Sequence, residues 1–142
     1  MRLVADANVL LSAVLGGRAR AVLEHTGVIE VLTAEATLAE VQEYAAELAA
    51  KKRLSLSLSL DIVLMAVATL PVKVVEREVY EESIPEARRR IGRRDPDDVE
   101  ILALALHTGA ALWSNDNDFE DADIEWFTTA ELLERLRRGR RQ

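Results

Sequence analysis

The chain has 142 residues, 49% of them hydrophobic and 30% charged, with a formal net charge of −7 and no cysteine. This is the composition of a single soluble globular domain, 1–142, whose core is large enough to stand without disulfides or a structural metal. It excludes thiol catalysis, cysteine zinc sites and iron–sulfur ligation, and it argues against binding nucleic acid through a generally basic surface.

In chain order, Leu3–Ala5 reads as a strand and Val9–Glu24 as a helix, followed by a strand at Val28–Leu32 and a helix at Thr33–Ala50. The perfect alternation of Leu and Ser over Leu54–Leu60 is read as a loop or helix entry, leading into a helical stretch around Asp61–Leu70. A strand at Val72–Val75, a helix at Glu76–Ile91 and a helix at Pro96–Thr108 come next. Strands at Ala111–Ser114 and Ile124–Phe127 and a helix at Thr128–Arg138 close the pattern, with 139–142 as a frayed Arg-rich tail. The strands are mostly continuous apolar runs, which suits parallel strands covered on both faces. Alternation of this kind predicts a three-layer α/β domain with a central, mostly parallel sheet of about five strands flanked by helices. Leu38, Val41, Ala45 and Leu48 make one apolar stripe, whereas Ile101–Leu106 is apolar all round and is expected to be central and buried. The longest apolar run, Ile62–Ala68, falls far short of the ~20 residues of a membrane span, and Asp6 and Asn8 interrupt any secretory leader. A cytoplasmic protein is expected.

Ligands of open parallel sheets bind outside the carboxyl ends of the strands. Asp6 follows the first strand directly and Asp116 follows the fourth, so two carboxylates leave the same edge. Asp98 opens the buried helix that leads into the fourth strand, and Glu40 lies beside Val41, nearer the apolar stripe than Glu43 or Glu47. Each acid also has a purely structural explanation. Asp6 fits as a helix cap, Asp95 with Pro96 and Asp98 resembles a capping box, Thr37 with Glu40 has the same spacing, and Asp116 suits a turn. Caps account for the acids one by one but do not predict four of them converging. If they do converge, like charges ~4 Å apart repel by roughly 4 kcal/mol per pair at an effective dielectric of 20. An oxygen-only cluster without Cys or nearby His suits Mg²⁺ or Mn²⁺ better than zinc, and a pair of such ions can activate water against a phosphodiester. His25 and His107 fall on helical segments and read as structural.

Three blocks carry a resemblance: Leu3-Val4-Ala5-Asp6-Ala7-Asn8-Val9-Leu10-Leu11-Ser12, Asp98-Val99-Glu100-Ile101-Leu102-Ala103-Leu104-Ala105 and Ser114-Asn115-Asp116-Asn117-Asp118-Phe119. Together, in order and across nearly the whole chain, they resemble the PIN-domain superfamily, and most of all its small stand-alone prokaryotic members, many of them the ribonuclease toxins of VapC-type toxin–antitoxin pairs. The resemblance implies an acidic pocket that binds Mg²⁺ or Mn²⁺ and cleaves RNA. By position, Asp6, Glu40, Asp98 and Asp116 match the family's acids, Asp118 a supplementary acid, Ser114 its Ser/Thr and Asn8 its Asn. Glu43 and Asp97 are the neighbouring alternatives to Glu40 and Asp98. The partners implied are an RNA substrate, an antitoxin protein and a second copy of the chain.

Alternatives of other classes are a catalytically silent PIN fold that binds RNA or protein, and a haloacid-dehalogenase-like phosphatase. The phosphatase needs a second Asp where this chain has Asn8 and a Lys before the last acidic motif, and none follows Lys73. A two-component receiver domain fails in the same way. Arginine dominates the bases, with five between Arg88 and Arg94 and five between Arg135 and Arg141. Guanidinium binds phosphate bidentately, and Arg93 and Arg94, just before the helix that carries Asp98, are the expected RNA contacts. A solvated helix face is the other reading of such a run.

Overall fold

The computed structural model describes residues 1–51, 60–91 and 96–139. Its strands are β1 (Arg2–Ala5), β2 (Glu30–Ala34), β3 (Lys73–Val75), β4 (Ala111–Trp113) and β5 (Trp126–Phe127), joined in one sheet of order β3-β2-β1-β4-β5. Every pairing is parallel. The helices are α1 (Ala7–Val14), α2 (Ala19–Leu23), α3 (Glu35–Lys51), α4 (Leu60–Ala68), α5 (Arg77–Tyr80), α6 (Ile84–Ile91), α7 (Pro96–Thr108) and α8 (Thr129–Gly139).

The period of two along the strands divides the core. Leu3, Ala5, Ala111 and Trp113 face one layer, with residues of α1, α2, α4 and α8. Val4, Leu32, Ala34 and Leu112 face the other, with α6 and α7. Side chains such as Leu3 and Leu112, fully enclosed, contribute about 1.5–3 kcal/mol each by leaving water. Ile101–Ala105 is buried, as a helix apolar on every side requires. Among the described residues no helix is long and apolar enough to cross a membrane.

Several boundaries differ from the sequence reading. The expected helix Val9–Glu24 is two helices, because the chain turns at Gly16, whose φ of +80° is open to glycine at little cost. Strand β2 runs to Ala34, and Thr33, read as helical, lies within it with its hydroxyl on the Ala5 carbonyl at 2.9 Å. The helix expected over Glu76–Ile91 is interrupted by a 3-10 turn at Glu81–Ser83. Pro85, without an N–H, cannot continue the ladder from the preceding turn. The Leu54–Leu60 reading falls almost wholly outside the described residues, as does the tail after Gly139, which closes α8.

What positions the site is the path of α3. After β2 it packs against α1 on one layer and α7 on the other. It therefore crosses the carboxyl edge of the sheet instead of lying along one face.

Candidate active site

Asp6 is placed by the first strand. Its N–H donates to the Trp113 carbonyl at 3.2 Å, extending the β1–β4 register by one residue. Its side chain then caps α1, with Oδ1 accepting the Val9 N–H at 2.9 Å. Its second oxygen accepts the Ser114 hydroxyl, and Ser114 Oγ in turn accepts the Asp116 N–H at 3.1 Å. One fully buried hydroxyl thus ties together the chain ends of β1 and β4. Burial pushes the Asp6 carboxyl above its ordinary value, the hydrogen bonds from Ser114 and Val9 pull it back, and the Asp116 charge adds to the rise.

Asp116 leaves β4 as the cap of a 3-10 turn at Asn117–Phe119, its Oδ1 accepting the Asp118 N–H at 3.1 Å. Both capping explanations therefore hold as local geometry. They do not compete with a shared site, because the same carboxylates also line one pocket. Asp6, Asn8, Glu40, Tyr44, Asp98, Asp116 and Asp118 line a single pocket of about 50 Å³.

Glu40 reaches it from α3 and is buried, whereas Glu43 on the same helix is exposed. Because α3 begins at Glu35, Thr37 is an interior helical residue and the proposed Thr37–Glu40 capping box does not form. Asp98 lines the pocket from the first turn of α7, and Asp97 does not. The partner of Asp98 in the other capping-box reading, Asp95, lies outside the described residues, as do Arg93 and Arg94.

The residue that sequence reasoning missed is Tyr44. Its hydroxyl donates to Glu40 Oε1 at 2.5 Å, and its position four residues on from Glu40, on the same helix face, was the available signal. Three anchors hold the loop after β4. The Trp126 indole donates to the Ser114 carbonyl at 2.8 Å, the Trp113 indole to Thr129 Oγ1 at 2.9 Å, and Asn115 Oδ1 accepts the Thr129 N–H at 2.8 Å. Further round, Arg90 donates to the carbonyls of Ala122 and Asp123 at 3.1 and 2.8 Å. That arginine is a structural clamp, not part of a solvated basic face. Neither histidine lines the acidic pocket; His25 Nδ1 accepts the Gly27 N–H at 2.8 Å, and His107 is exposed.

The donor set is oxygen only, with a desolvated carboxylate at its floor. Such a set suits a hard divalent cation, whose charge would relieve the repulsion that Asp116 exerts on Asp6. Among the described residues no three acidic or histidine side chains are drawn together tightly enough to hold an ion as they stand.

A family model described as PIN domain matches residues 4–137. This chain belongs to the PIN domain family. Membership sets aside the phosphatase and receiver alternatives, since neither is a PIN domain. Among curated proteins, no sequence matches this PIN domain. Solved structures do. It is similar to a chain of VapBC2 from Rickettsia felis, bound to a DNA fragment from its promoter, at TM-score 0.62 and 14% identity over 90% of this chain and 98% of that one. A chain of VapBC-1 from nontypeable Haemophilus influenzae gives TM-score 0.62 and 18% identity over 92% and 99%. VapC20 of Mycobacterium tuberculosis, described as a sarcin-ricin loop cleaving toxin, gives 0.59 and 15% over 86% and 95%. At these identities the likeness is one of fold.

Proposed function

We propose that this PIN domain is a metal-dependent endoribonuclease, the toxin of a toxin–antitoxin pair. The observation that carries the reading is the pocket itself: Asp6, Glu40, Asp98 and the Asp116–Asp118 turn bring five acids from four segments to one pocket. Family membership supports nuclease chemistry, and the VapBC complexes and the RNA-cleaving toxin among its structural relatives support the toxin assignment. Asp6, Asp98 and Asp116, with Glu40 and Asp118, would hold Mg²⁺ or Mn²⁺, which when bound supplies an activated water and charge stabilisation at the phosphodiester. The chain's own work is positioning. Ser114 and the Val9 N–H fix the Asp6 carboxylate, the Asp118 N–H fixes Asp116, and Tyr44 fixes Glu40.

This reading calls for an RNA substrate, an antitoxin partner, cytoplasmic placement and a second copy of the chain, the last open to light scattering. The deciding experiment is incubation of the purified protein with RNA and Mg²⁺ or Mn²⁺. Cleavage that stops in EDTA and leaves 3′-hydroxyl and 5′-phosphate ends is expected. Undiminished cleavage in EDTA, or cyclic phosphate ends, would refute a metal-activated water.

A further inference from the structure

The described arginines of α8 are not alike. Arg137 and Arg138 both donate to Glu134, at 2.7 and 3.0 Å. Glu131 is occupied at the helix start, where its carboxylate accepts the Thr128 N–H at 3.1 Å and Thr128 Oγ1 accepts its own N–H at 3.2 Å. Arg135 has no carboxylate partner among the described residues. Its guanidinium instead lies over the Phe127 ring, 5.1 Å from the centroid. Stacking of this kind fixes the plane of the guanidinium without neutralising it, so its fork of N–H donors stays available to an anion. Phe127, Ala130, Glu131, Glu134, Arg135 and Arg138 border a groove of about 470 Å³, in which Glu131 is held by Thr128 and Glu134 by Arg137 and Arg138.

The groove and the acidic pocket both begin at carboxyl ends of strands of the same sheet. Helix side chains lean toward the helix N-terminus, so Arg135 reaches back to the carboxyl edge, where Phe127 ends β5. Phe127 pairs with Trp113, and Trp113 with Ala5, the residue before Asp6. Two strand spacings, about 10 Å, separate them. A second groove, of about 410 Å³, shares Asp6, Asn8 and Asp116 with the acidic pocket and is lined also by Asn115 and Asn117, in the loop after β4. The carboxyl edge of the sheet therefore presents carboxylates and amides, and at its β5 end a guanidinium stacked on an aromatic ring with no ion-pair partner among the described residues.

We propose that Arg135 and Phe127 form a nucleotide subsite for single-stranded RNA, with the guanidinium on a phosphate and a base stacked against the Arg135–Phe127 pair. The asparagine groove then carries the strand to the acidic pocket. The proposal rests on the ribonuclease reading and answers a problem it poses. A chain of net charge −7 whose pocket repels phosphate must draw the strand in from a cation beside that pocket.

The test is fluorescence anisotropy with 5′-fluorescein-labelled decauridylate, in Ca²⁺ in place of Mg²⁺, across a range of salt. Arg135→Gln should weaken binding about five- to tenfold and reduce the log–log salt slope by about 0.7. Phe127→Leu should weaken it several-fold with the slope unchanged, as loss of stacking does. Arg137→Gln, which removes an exposed but paired arginine of the same helix, should match wild type. Equal binding by Arg135→Gln and wild type, or an equal loss in Arg137→Gln, overturns the subsite while wild-type cleavage keeps the nuclease reading intact. A wild-type protein that neither binds nor cleaves RNA overturns that reading, and the subsite with it. Normal RNA binding by Arg135→Gln together with lost affinity for a protein partner assigns the groove to protein docking and also overturns the subsite.

Discussion

Tyr44 stands one helical turn beyond Glu40 and donates its hydroxyl to Glu40 Oε1 at 2.5 Å, so two residues of α3 enter the acidic pocket as a unit. A hydrogen bond to a charged group is worth about 1.5–3 kcal/mol in general, and the partial exposure of Tyr44 places this one at the low end. Tyr44→Phe should therefore lower the melting temperature slightly and raise the Mg²⁺ concentration for half-maximal cleavage about three- to tenfold. Calorimetric metal titration checks the second effect apart from catalysis. A melting change with unaltered metal affinity would reduce Tyr44 to packing.

The Asp6 carboxyl gives a pH dependence of definite sign. Its folded value lies above the ordinary 3.8 because of burial, so between the two values the folded state binds more protons than the unfolded. The stability this group allows is present below 3.8 and is lost as pH rises through the folded value. Metal-free wild type should accordingly melt at lower temperature as pH rises through that window. Asp6→Asn, which retains an acceptor for the Val9 N–H, should flatten the dependence, melt higher near neutrality and cleave nothing. Asp6→Ala loses the cap as well, a change of about 1 kcal/mol the other way.

A cation that relieves the carboxylates must stabilise the fold. For a dissociation constant near 1 mM, 10 mM Mg²⁺ contributes about 1.4 kcal/mol, which corresponds to roughly 3–6 °C at this chain length. Scanning calorimetry should show that rise in wild type and lose it in Asp116→Asn. The same rise in both proteins would place the ion elsewhere.

Neighbouring acids separate by position. Asp98→Asn and Glu40→Gln should abolish RNA cleavage, whereas Asp97→Asn and Glu43→Gln should keep most of it, because only the first member of each pairing lines the pocket. Cleavage assays on the four variants decide the matter, and the reverse ranking would move the site.

Arg89 and Arg90 both bind Glu86, but only Arg90 also holds the carbonyls of Ala122 and Asp123. Asp123 sits at φ +52°, a left-handed conformation that Asp tolerates better than most non-glycine residues, and Arg90 holds its carbonyl there. Arg90→Ala should cost about 2 kcal/mol and slow cleavage through the displaced Asp116–Asp118 turn. Arg89→Ala should cost far less, as loss of an exposed ion pair does. Thermal melts of the two compare them directly.

Sequence and structure agree where local pattern suffices. The apolar strand runs specify a parallel sheet, and Pro96 and Gly109, the latter at φ +72°, bracket α7 as a start and stop. Asp6 and Asp116 are legible because strand ends in such sheets are where ligands go. What escaped depends on partners far along the chain. Thr33 is held in β2 by the Ala5 carbonyl, a contact invisible to helical periodicity. The role of Arg90 is set by carbonyls more than thirty residues away, so composition could only class it with a charge run. Tyr44 was within reach by spacing, but an aromatic at helical period from an apolar stripe reads first as core.

The parallel pairing of β1 with β4 joins residues 3–5 to residues 111–113. Synthesis from the N-terminus therefore delivers Asp6 and Glu40 early and leaves them without Asp98, Asp116 or the Ser114 hydroxyl until most of the polypeptide has emerged. A nascent chain cut short before β4 has Asp6, Glu40 and Asp98 but neither Asp116 nor the Ser114 hydroxyl that ties it to Asp6. For the ribonuclease proposed above, made on a machine built of RNA, the strand order delays completion of the pocket until translation is nearly finished.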